Sequence, residues 1–328
     1  MQMPDGETRF TDLIRGEVTF DHKFVPDFVL MRADGSPLYT LAVAVDDVLM
    51  KVTHVLRGED LLSSTPRQIR VYQAMGVTEA DYPFFAHLPF VMGQDNAKLS
   101  KRNGEVSIAW YREQGFLPEA ICNYLALLGW SPGDDRENIS MQELVQLFTV
   151  ERVNSSPARF DMKKLEAING DKIRALTIDD FLARALPFLL KYGVIQGTDS
   201  EIAVVKSALP IIQERIARMN EVTAMLKFLF IENVEFDAES AAKIGEEPSQ
   251  HVIKKALEVL SPLSDWTHEL IEAELRKALL DEMGLKPRVA FGPVRIAVTG
   301  SHISPPLFES MELLGKDRSI ARLSGAIR

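Results

Sequence analysis

The chain has 328 residues, of which 46% are hydrophobic and 26% are charged, and its formal net charge at pH 7 is -10. A chain of this length can bury at least one large core, and two or three domains are expected. Its longest apolar runs are far shorter than the roughly 20 residues of a membrane span, and residues 1–20 lack the pattern of a secretory signal. Membrane and exported proteins are therefore disfavoured, and a cytoplasmic location is expected.

The charge and the cysteine content exclude two further classes of protein. A net negative charge disfavours general binding to nucleic acid, so any contact with RNA requires basic residues concentrated on one face. The single cysteine, Cys122, excludes an intrachain disulfide and a thiolate metal cage, and no protein-bound zinc is expected. Because it stands in an apolar stretch that predicts a helix interior, Cys122 is predicted to be a buried packing residue.

The N-terminal third predicts alternating strands and helices. An apolar run at residues 28–32, followed by a turn at 34–37, predicts a strand and a tight turn. Runs at 52–56 and 84–91 predict two more strands. A proline in the first turn and a terminal glycine predict a helix from Pro66 to Gly76 between them. This order predicts a right-handed parallel crossover.

Beyond Val106 the pattern predicts helices almost alone. Pro118 and Gly129 bracket one helix, Ser140 begins a capping box, and Thr177 is a second predicted N-cap. Loops are predicted at 198–201 and 246–249. Apolar residues at helical spacing predict four further helices, at 202–230, 252–260, 268–283 and 306–326. No fixed-period repeat is found, which disfavours a regular solenoid.

A polar loop at residues 96–104 follows the third predicted strand, and in it Lys98 and Lys101 flank Ser100. Two converging ammonium groups suit the formation of an adenylate, because negative charge builds on the α-phosphate and the leaving pyrophosphate in the transition state. Lysine acts there as a mobile point charge. A solvated basic loop is the alternative, and spacing alone does not separate the two.

The segment Lys98-Leu99-Ser100-Lys101-Arg102 resembles the Lys-Met-Ser-Lys-Ser signature of class I aminoacyl-tRNA synthetases, in a form that glutamyl enzymes often show. Residues 57–68, which open with Arg57-Gly58-Glu59-Asp60, resemble the segment that ends a Rossmann strand in the same family. Residues 160–170 and 297–316 resemble the helical parts of bacterial glutamyl enzymes. A glutaminyl enzyme is expected to end in β-barrels, and the glutamyl-queuosine paralogue lacks the anticodon part.

The resemblance implies ATP-dependent activation of L-glutamate as an adenylate and its transfer to the 3′-terminal adenosine of tRNA(Glu). It assigns Lys98 and Lys101 to catalysis, with Lys101 on the ATP phosphates and Lys98 in support. Ser100 and Glu59 are assigned to ATP binding, and Glu59 is alternatively expected to orient Arg57. Mg²⁺ is expected to arrive with the phosphates of ATP.

The resemblance also implies an amino-acid pocket and an anticodon contact. Arg57 can bind the glutamate carboxylate through two parallel hydrogen bonds, which distinguishes glutamate from glutamine. A surface arginine paired with Glu59 or Asp60 is the alternative. Tyr39 matches the tyrosine that lines the glutamate pocket, and by itself would be ordinary half-buried packing. Arg215 falls near an arginine that touches the anticodon, and a solvated helix face is equally consistent with its position.

Two other polar features are interpreted as structural. Asp46 and Asp47 are adjacent, so their side chains point apart and cannot easily share a proton. His87 precedes the lysine loop, but a core histidine with satisfied hydrogen bonds is the better interpretation. Neither feature is assigned to catalysis.

The implied fold is α/β followed by all-α. The second half of a Rossmann-type catalytic domain, with the end of an inserted domain, is expected at residues 1–105. A helical stem-contact region follows at 106–175 and a helical anticodon-binding domain at 176–328. None of the six histidines stands in a His-x-Gly-His element, so by this resemblance the first half of the active site is absent, and the chain alone is expected to be a poor enzyme. A monomer is expected if the protein is complete, and the missing N-terminal part is a candidate requirement for it. A non-catalytic tRNA-binding module is the alternative function.

Overall fold

The computed structural model describes residues 1–93, 99 and 107–327. The chain divides into two compact units, one containing Met1–Ser107 and Pro118–Ile168 and the other containing Ile108–Leu117 and Asn169–Arg328. Of the three positions at which the chain passes from one unit to the other, one falls inside a helix, between Ile168 and Asn169. No helix among the described residues is both long and apolar enough to cross a membrane.

The described residues form 6 strands and 15 α-helices. In chain order they are β1 Glu7–Asp12, β2 Gly16–Asp21, α1 Tyr39–Met50, β3 His54–Gly58, α2 Thr65–Ala74, β4 Phe84–Leu88, β5 Val91–Met92, α3 Ile108–Gln114, α4 Pro118–Leu127, α5 Met141–Leu147, β6 Ala158–Arg159, α6 Met162–Arg174, α7 Ile178–Lys191, α8 Asp199–Gln213, α9 Val222–Leu226, α10 Ala238–Gly245, α11 Glu247–Leu260, α12 His268–Arg276, α13 Pro287–Thr299, α14 Leu307–Leu314 and α15 Lys316–Gly325. A six-residue π-helical segment, Lys277–Glu282, follows α12.

The first unit is built on a mixed four-stranded sheet with the strand order β2-β1-β4-β3. β1 and β2 form an antiparallel hairpin, whereas β4 runs parallel to both β1 and β3. The helices α1 and α2 pack together and supply most of the buried core of this sheet, which consists of Ala44, Ile69, Val71, Tyr72 and Phe85. Parallel β3 and β4 joined through α2 are what the strand-helix-strand order predicts.

The predicted boundaries in this region are partly right. Strands at 52–56 and 84–91 appear as β3 and β4, and α2 carries a proline in its first turn and ends before Gly76, whose φ is +81°. The strand predicted at 28–32 is wrong, because Arg32 and Leu38 donate their N–H groups across a tight turn and leave only an isolated bridge between Met31 and Pro37.

The remainder of the first unit is helical apart from a second, two-stranded parallel sheet formed by β5 and β6. The predicted capping box is confirmed, since the Ser140 hydroxyl accepts from the Glu143 N–H and the Glu143 carboxylate accepts in return. The prediction that Cys122 is buried is wrong: its side chain is exposed. The buried positions of α4 are Ala120, Asn123 and Tyr124. Cys122 stands between them in sequence and points to another side of the helix.

The second unit is helical throughout its described residues. The helix start predicted at Thr177 is confirmed, because its hydroxyl accepts from the Asp180 N–H. The loops predicted at 198–201 and 246–249 are wrong. Thr198 is the N-cap of α8, and residues 246–249 form the N-cap and first turn of α11. The segment predicted at 306–326 is broken at Gly315, whose φ of +86° ends α14 and starts α15.

One buried amide holds three separate segments of the second unit together. Asn169, in α6, is fully buried. Its Oδ1 accepts from the Leu117 N–H at 2.8 Å, and its Nδ2 donates to the Ala217 carbonyl at 2.5 Å. The contact with the Leu117 N–H is buried and that with the Ala217 carbonyl is partly buried, so this side chain satisfies backbone groups that would be costly to leave without a partner.

Candidate functional site

Polar side chains meet where β3 and β4 end, which is the edge at which parallel sheets bind ligands. Arg57 and His87 face each other in the register of the two strands. The Arg57 Nε–H donates to His87 Nε2 at 3.0 Å, and its Nη2 donates to the Thr65 Oγ1 at 2.9 Å. Arg57 is half-buried, and its guanidinium carbon lies 5.9 Å from the centre of the Phe85 ring. The sheet and the first residue of α2 therefore hold this guanidinium from one side.

The opposite nitrogen of His87 faces a carboxylate from β1. His87 Nδ1 lies 2.5 Å from Asp12 Oδ2, and both side chains are completely buried. Since Nε2 accepts from Arg57, the proton of a neutral imidazole belongs on Nδ1, from which it is donated to Asp12. Asp12 Oδ1 accepts the backbone N–H groups of Ile14 at 3.0 Å and Arg15 at 2.9 Å, so the carboxylate itself is fixed by the β1–β2 turn.

The pKa directions agree with this arrangement of protons. Burial acts to raise the pKa of Asp12, but the hydrogen bonds from His87 and the turn outweigh it, and the pKa lies below its ordinary value. Burial lowers the pKa of His87, and the charge of Arg57 adds to this effect against the opposing hydrogen bond to Asp12. A charged Asp12 beside a neutral His87 is therefore the state expected near pH 7.

A second contact links the same turn to Glu59. Arg15 forms an ion pair with Glu59 and donates its Nε–H to the His87 carbonyl at 3.2 Å. The other oxygen of Glu59 accepts from the Phe90 N–H at 2.9 Å. Glu59 thus pairs with Arg15 rather than with Arg57, whose partners are His87 and Thr65. The predicted contact between Glu59 and ATP stays a prediction.

Tyr39 is the first residue of α1, and half of its surface is exposed. The neighbouring phenol of Tyr72 donates to Asp47 Oδ2 at 2.8 Å. Burial and the Asp47 carboxylate raise the pKa of Tyr72, the charge of Arg57 opposes the rise, and Tyr39 adds a smaller contribution. Tyr39 and Arg57 therefore both lie within electrostatic range of one phenol. The structural interpretation of Asp47 is confirmed by its hydrogen bond.

The predicted lysine loop is mostly outside the described residues. Lys98, Ser100 and Lys101 belong to the part that the structure does not describe. Leu99 is described, and its N–H donates to the Val91 carbonyl in β5 at 3.0 Å. Val91 follows His87 by four residues.

Sequence reasoning missed Asp12, Arg15 and Thr65 at this edge, and also the buried amide of Gln68 in α2. Asp12 could have been noticed because an aspartate that ends a strand before a tight turn often binds the next backbone N–H groups. Thr65 was not assigned a role at Arg57. Gln68 lies about one turn beyond Thr65 on α2 and is 1% exposed, and neither atom of its amide has a hydrogen-bond partner among the described residues. No sequence pattern signals this last feature.

In the second unit, Arg215 follows α8 directly and is exposed. Its charge adds to the burial that lowers the pKa of Arg295, which donates to the Ser304 hydroxyl at 2.9 Å and the Pro305 carbonyl at 2.8 Å. The two arginines are therefore within electrostatic range of each other. Whether Arg215 contacts RNA stays a prediction.

Among residues 1–93, 99 and 107–327, one group of side chains has the spacing of metal ligands. It consists of His268, Glu269 and Glu312, whose ligand atoms lie within 4.8 Å of one another. His268 Nδ1 is 2.9 Å from Glu312, and this hydrogen bond is the main cause that raises the pKa of the imidazole. Both glutamates are on the surface, and the group is accounted for by hydrogen bonds between its own members.

Two family models match this chain. Residues 1–167 match the model described as tRNA synthetases class I (E and Q), catalytic domain. Residues 180–327 match the model described as an anticodon binding domain. The two matches together leave out only the segment around the end of α6.

Curated relatives and solved structures agree with these matches. The chain is 50% identical to a glutamate–tRNA ligase of Nocardioides sp. (strain JS614) over 99% of its own length and 68% of the relative, and 52% identical to one of Rhodococcus jostii over 99% and 67%. A crystal structure of a glutamate tRNA ligase from Elizabethkingia meningosepticum in complex with its amino acid superposes with a TM-score of 0.79 at 29% identity, covering 98% of this chain and 66% of that one. The chain thus spans about two thirds of the length of the proteins it matches.

Proposed function

We propose that this chain, which belongs to the class I tRNA synthetases for glutamate and glutamine, acts in the ATP-dependent ligation of glutamate to tRNA(Glu). Glutamate is first activated as an adenylate and then passed to the 3′-terminal adenosine. The curated relatives are named as ligases, which disfavours the alternative of a non-catalytic tRNA-binding module. A cytoplasmic monomer is the proposed working form.

The observation that carries this proposal is the anchored guanidinium of Arg57. Its edge formed by Nε and Nη2 is held by His87 and Thr65. Among the described residues no hydrogen bond engages Nη1. A planar guanidinium held in this way can present its remaining N–H groups to a substrate carboxylate with little loss of conformational entropy. Tyr39, exposed beside the same cluster, is the proposed side wall of the glutamate pocket.

The proposed catalytic residues lie on the lysine loop. Lys101 contacts the ATP phosphates, Lys98 supports it, and Ser100 completes the nucleotide contact. Mg²⁺ enters with ATP and neutralises its phosphates. The hydrogen bond from Leu99 to Val91 supports a loop that starts close to the strand ends, and Glu59 is the proposed neighbour of the nucleotide on the sheet side.

The helical part of the chain is the proposed tRNA-binding region. Residues 106–175 are assigned to the stem-contact region and 176–328 to the anticodon-binding domain, and the family match at residues 180–327 supports the second assignment. Arg215, exposed beyond α8, is proposed to contact the anticodon.

Glutamate-dependent exchange of pyrophosphate into ATP tests this function, with tRNA present. Measured in an enzyme that contains this chain at the full length of its relatives, Lys101→Ala is expected to raise the activation free energy of exchange by roughly 2 kcal/mol or more, because one preplaced charge at the phosphates is lost. Lys23→Ala is a matched control, since Lys23 is an exposed lysine of the same unit that pairs with Asp21. Equal exchange by both variants would remove Lys101 from the mechanism.

A further inference from the structure

We propose that Asp12 and His87 are positioning residues for Arg57. The Asp12 carboxylate fixes the proton of His87 on Nδ1, and the unprotonated Nε2 then accepts a hydrogen bond from Arg57 and holds the guanidinium in place. Neither residue touches the substrate in this assignment. The inference rests on the proposed function, because it concerns the arginine that we assign to the glutamate carboxylate.

The first step is the fixed direction of the Asp12 carboxylate. Oδ1 accepts three backbone N–H groups, those of Ile14, Arg15 and His87, at distances from 2.9 to 3.2 Å. This leaves Oδ2 for the imidazole at 2.5 Å. An ionised carboxylate can only accept hydrogen bonds, so the nitrogen that faces it must carry the proton.

The second step is the consequence for the far side of the imidazole. With its proton on Nδ1, neutral His87 offers an unprotonated Nε2, and this atom accepts the Nε–H of Arg57 at 3.0 Å. The Thr65 hydroxyl lies 3.3 Å from Nε2 and accepts from Arg57 Nη2 at 2.9 Å. Two hydrogen bonds therefore hold the guanidinium through Nε and Nη2. Nη1 and the second N–H of Nη2 are left to donate to a carboxylate.

The third step is the electrostatic surrounding of the imidazole. Among the described residues, the charged groups that face His87 are Asp12 on β1, Arg57 on β3 and Arg15 in the β1–β2 turn, while Thr65 on α2 is neutral. A proton added at Nε2 would meet the Arg57 N–H and place a second positive charge beside the guanidinium. The grip on Arg57, and with it the affinity for glutamate, is therefore expected to weaken as His87 becomes protonated in acid.

The decisive variant is Asp12→Asn, which keeps the size of the side chain. Its Oδ1 can still accept the backbone N–H groups, so its amide N–H faces His87 and forces the imidazole proton to Nε2. ¹⁵N NMR of the full chain with labelled histidine and arginine is expected to show this change of tautomer and the loss of the hydrogen-bonded Arg57 Nε–H signal. The Kd for glutamate, measured by calorimetry, is expected to rise by about tenfold or more, by analogy with outer-shell substitutions. An unchanged tautomer and an unchanged Arg57 signal would overturn the proposal.

A second pair of variants decides the question even where Asp12→Asn fails to fold. The amide of His87→Gln can both donate to Asp12 and accept from Arg57, whereas His87→Ala can do neither. The Arg57 Nε–H signal and tight glutamate binding are expected to survive in His87→Gln and to be lost in His87→Ala. Equal behaviour of the two variants contradicts positioning by His87.

Arg57→Ala separates this inference from the function on which it rests. If Arg57→Ala leaves glutamate binding unchanged, the assigned role of Arg57 is refuted. The NMR signals of the chain that retains Arg57 then still report whether Asp12 and His87 fix its guanidinium. Binding that requires Arg57 but ignores both His87 variants refutes the positioning role alone.

Discussion

Replacing Arg57 with lysine keeps the positive charge and removes the planar fork. In the structure Arg57 makes two anchoring hydrogen bonds, at 3.0 and 2.9 Å, and leaves one end for a ligand. A lysine ammonium makes at most one of the two charge-assisted bonds to a carboxylate, a loss of about 1.5–3 kcal/mol, and gives up the anchoring worth about 1 kcal/mol. The affinity for glutamate is therefore expected to fall by about 2.5–4 kcal/mol, or roughly 70- to 900-fold.

Isothermal titration calorimetry with L-glutamate measures this loss directly, and circular dichroism checks that the variant is folded. Arg32→Lys is the matched control, because Arg32 is an exposed arginine of the same unit that binds the Ser36 hydroxyl at 3.2 Å. A folded Arg57→Lys variant whose Kd changes by less than about threefold would show that the carboxylate is bound elsewhere.

Three further outcomes are expected. Asn169→Ala leaves the buried Leu117 N–H without its partner and removes the partly buried hydrogen bond to the Ala217 carbonyl. It should lower the free energy of unfolding by about 1.5–4.5 kcal/mol in urea denaturation; a loss below 1 kcal/mol, roughly one ordinary hydrogen bond, contradicts this. Folding lowers the pKa of His87, so its contribution to the free energy of unfolding is complete above the unfolded-state pKa and is lost as the pH falls towards the folded-state pKa. Folding also lowers the pKa of Asp12, whose contribution is lost only as the pH falls through that lowered pKa. Urea midpoints should therefore fall in two steps, and His87→Gln should remove the upper one. Cys122 should react with a thiol reagent in the native state, as its exposure requires; reaction only after unfolding refutes it.

The family and the fold class could be predicted from the sequence, and both are confirmed by the family matches and by the solved structures. The reason is that the motifs are contiguous. The Arg57-Gly58-Glu59-Asp60 segment and the helix that follows it are written in neighbouring residues, with capping and turn chemistry that acts locally. Such local features can be recognised in the sequence without knowledge of the tertiary structure.

Details that depend on distant neighbours were less accessible. Hydrophobic composition placed Cys122 in the core, but exposure is set by which side of α4 faces its partners. The apolar run at 28–32 has the composition of a strand, yet it finds only an isolated bridge and no strand partner in the sheet. The partners of Arg57 come from β4 and α2, and Asp12 is 75 residues from His87 in sequence. A local sequence pattern spans too few residues to reveal a contact between residues 75 positions apart.

The sheet topology explains why these distant residues meet at one edge. Because β1 runs parallel to β4, the turn that follows β1 arrives beside the ends of β3 and β4. From that single turn Asp12 reaches Arg57 through His87, and Arg15 reaches Glu59 directly. Buried polar groups are costly unless each has a partner, and the network satisfies both nitrogens of His87 and both oxygens of Asp12. The end of β1 and the turn after it therefore hold Arg57 through His87 and Glu59 directly, which are two of the three charged side chains of the Arg-Gly-Glu-Asp segment. A structural element with no predicted substrate contact thus positions two residues that are predicted to make one.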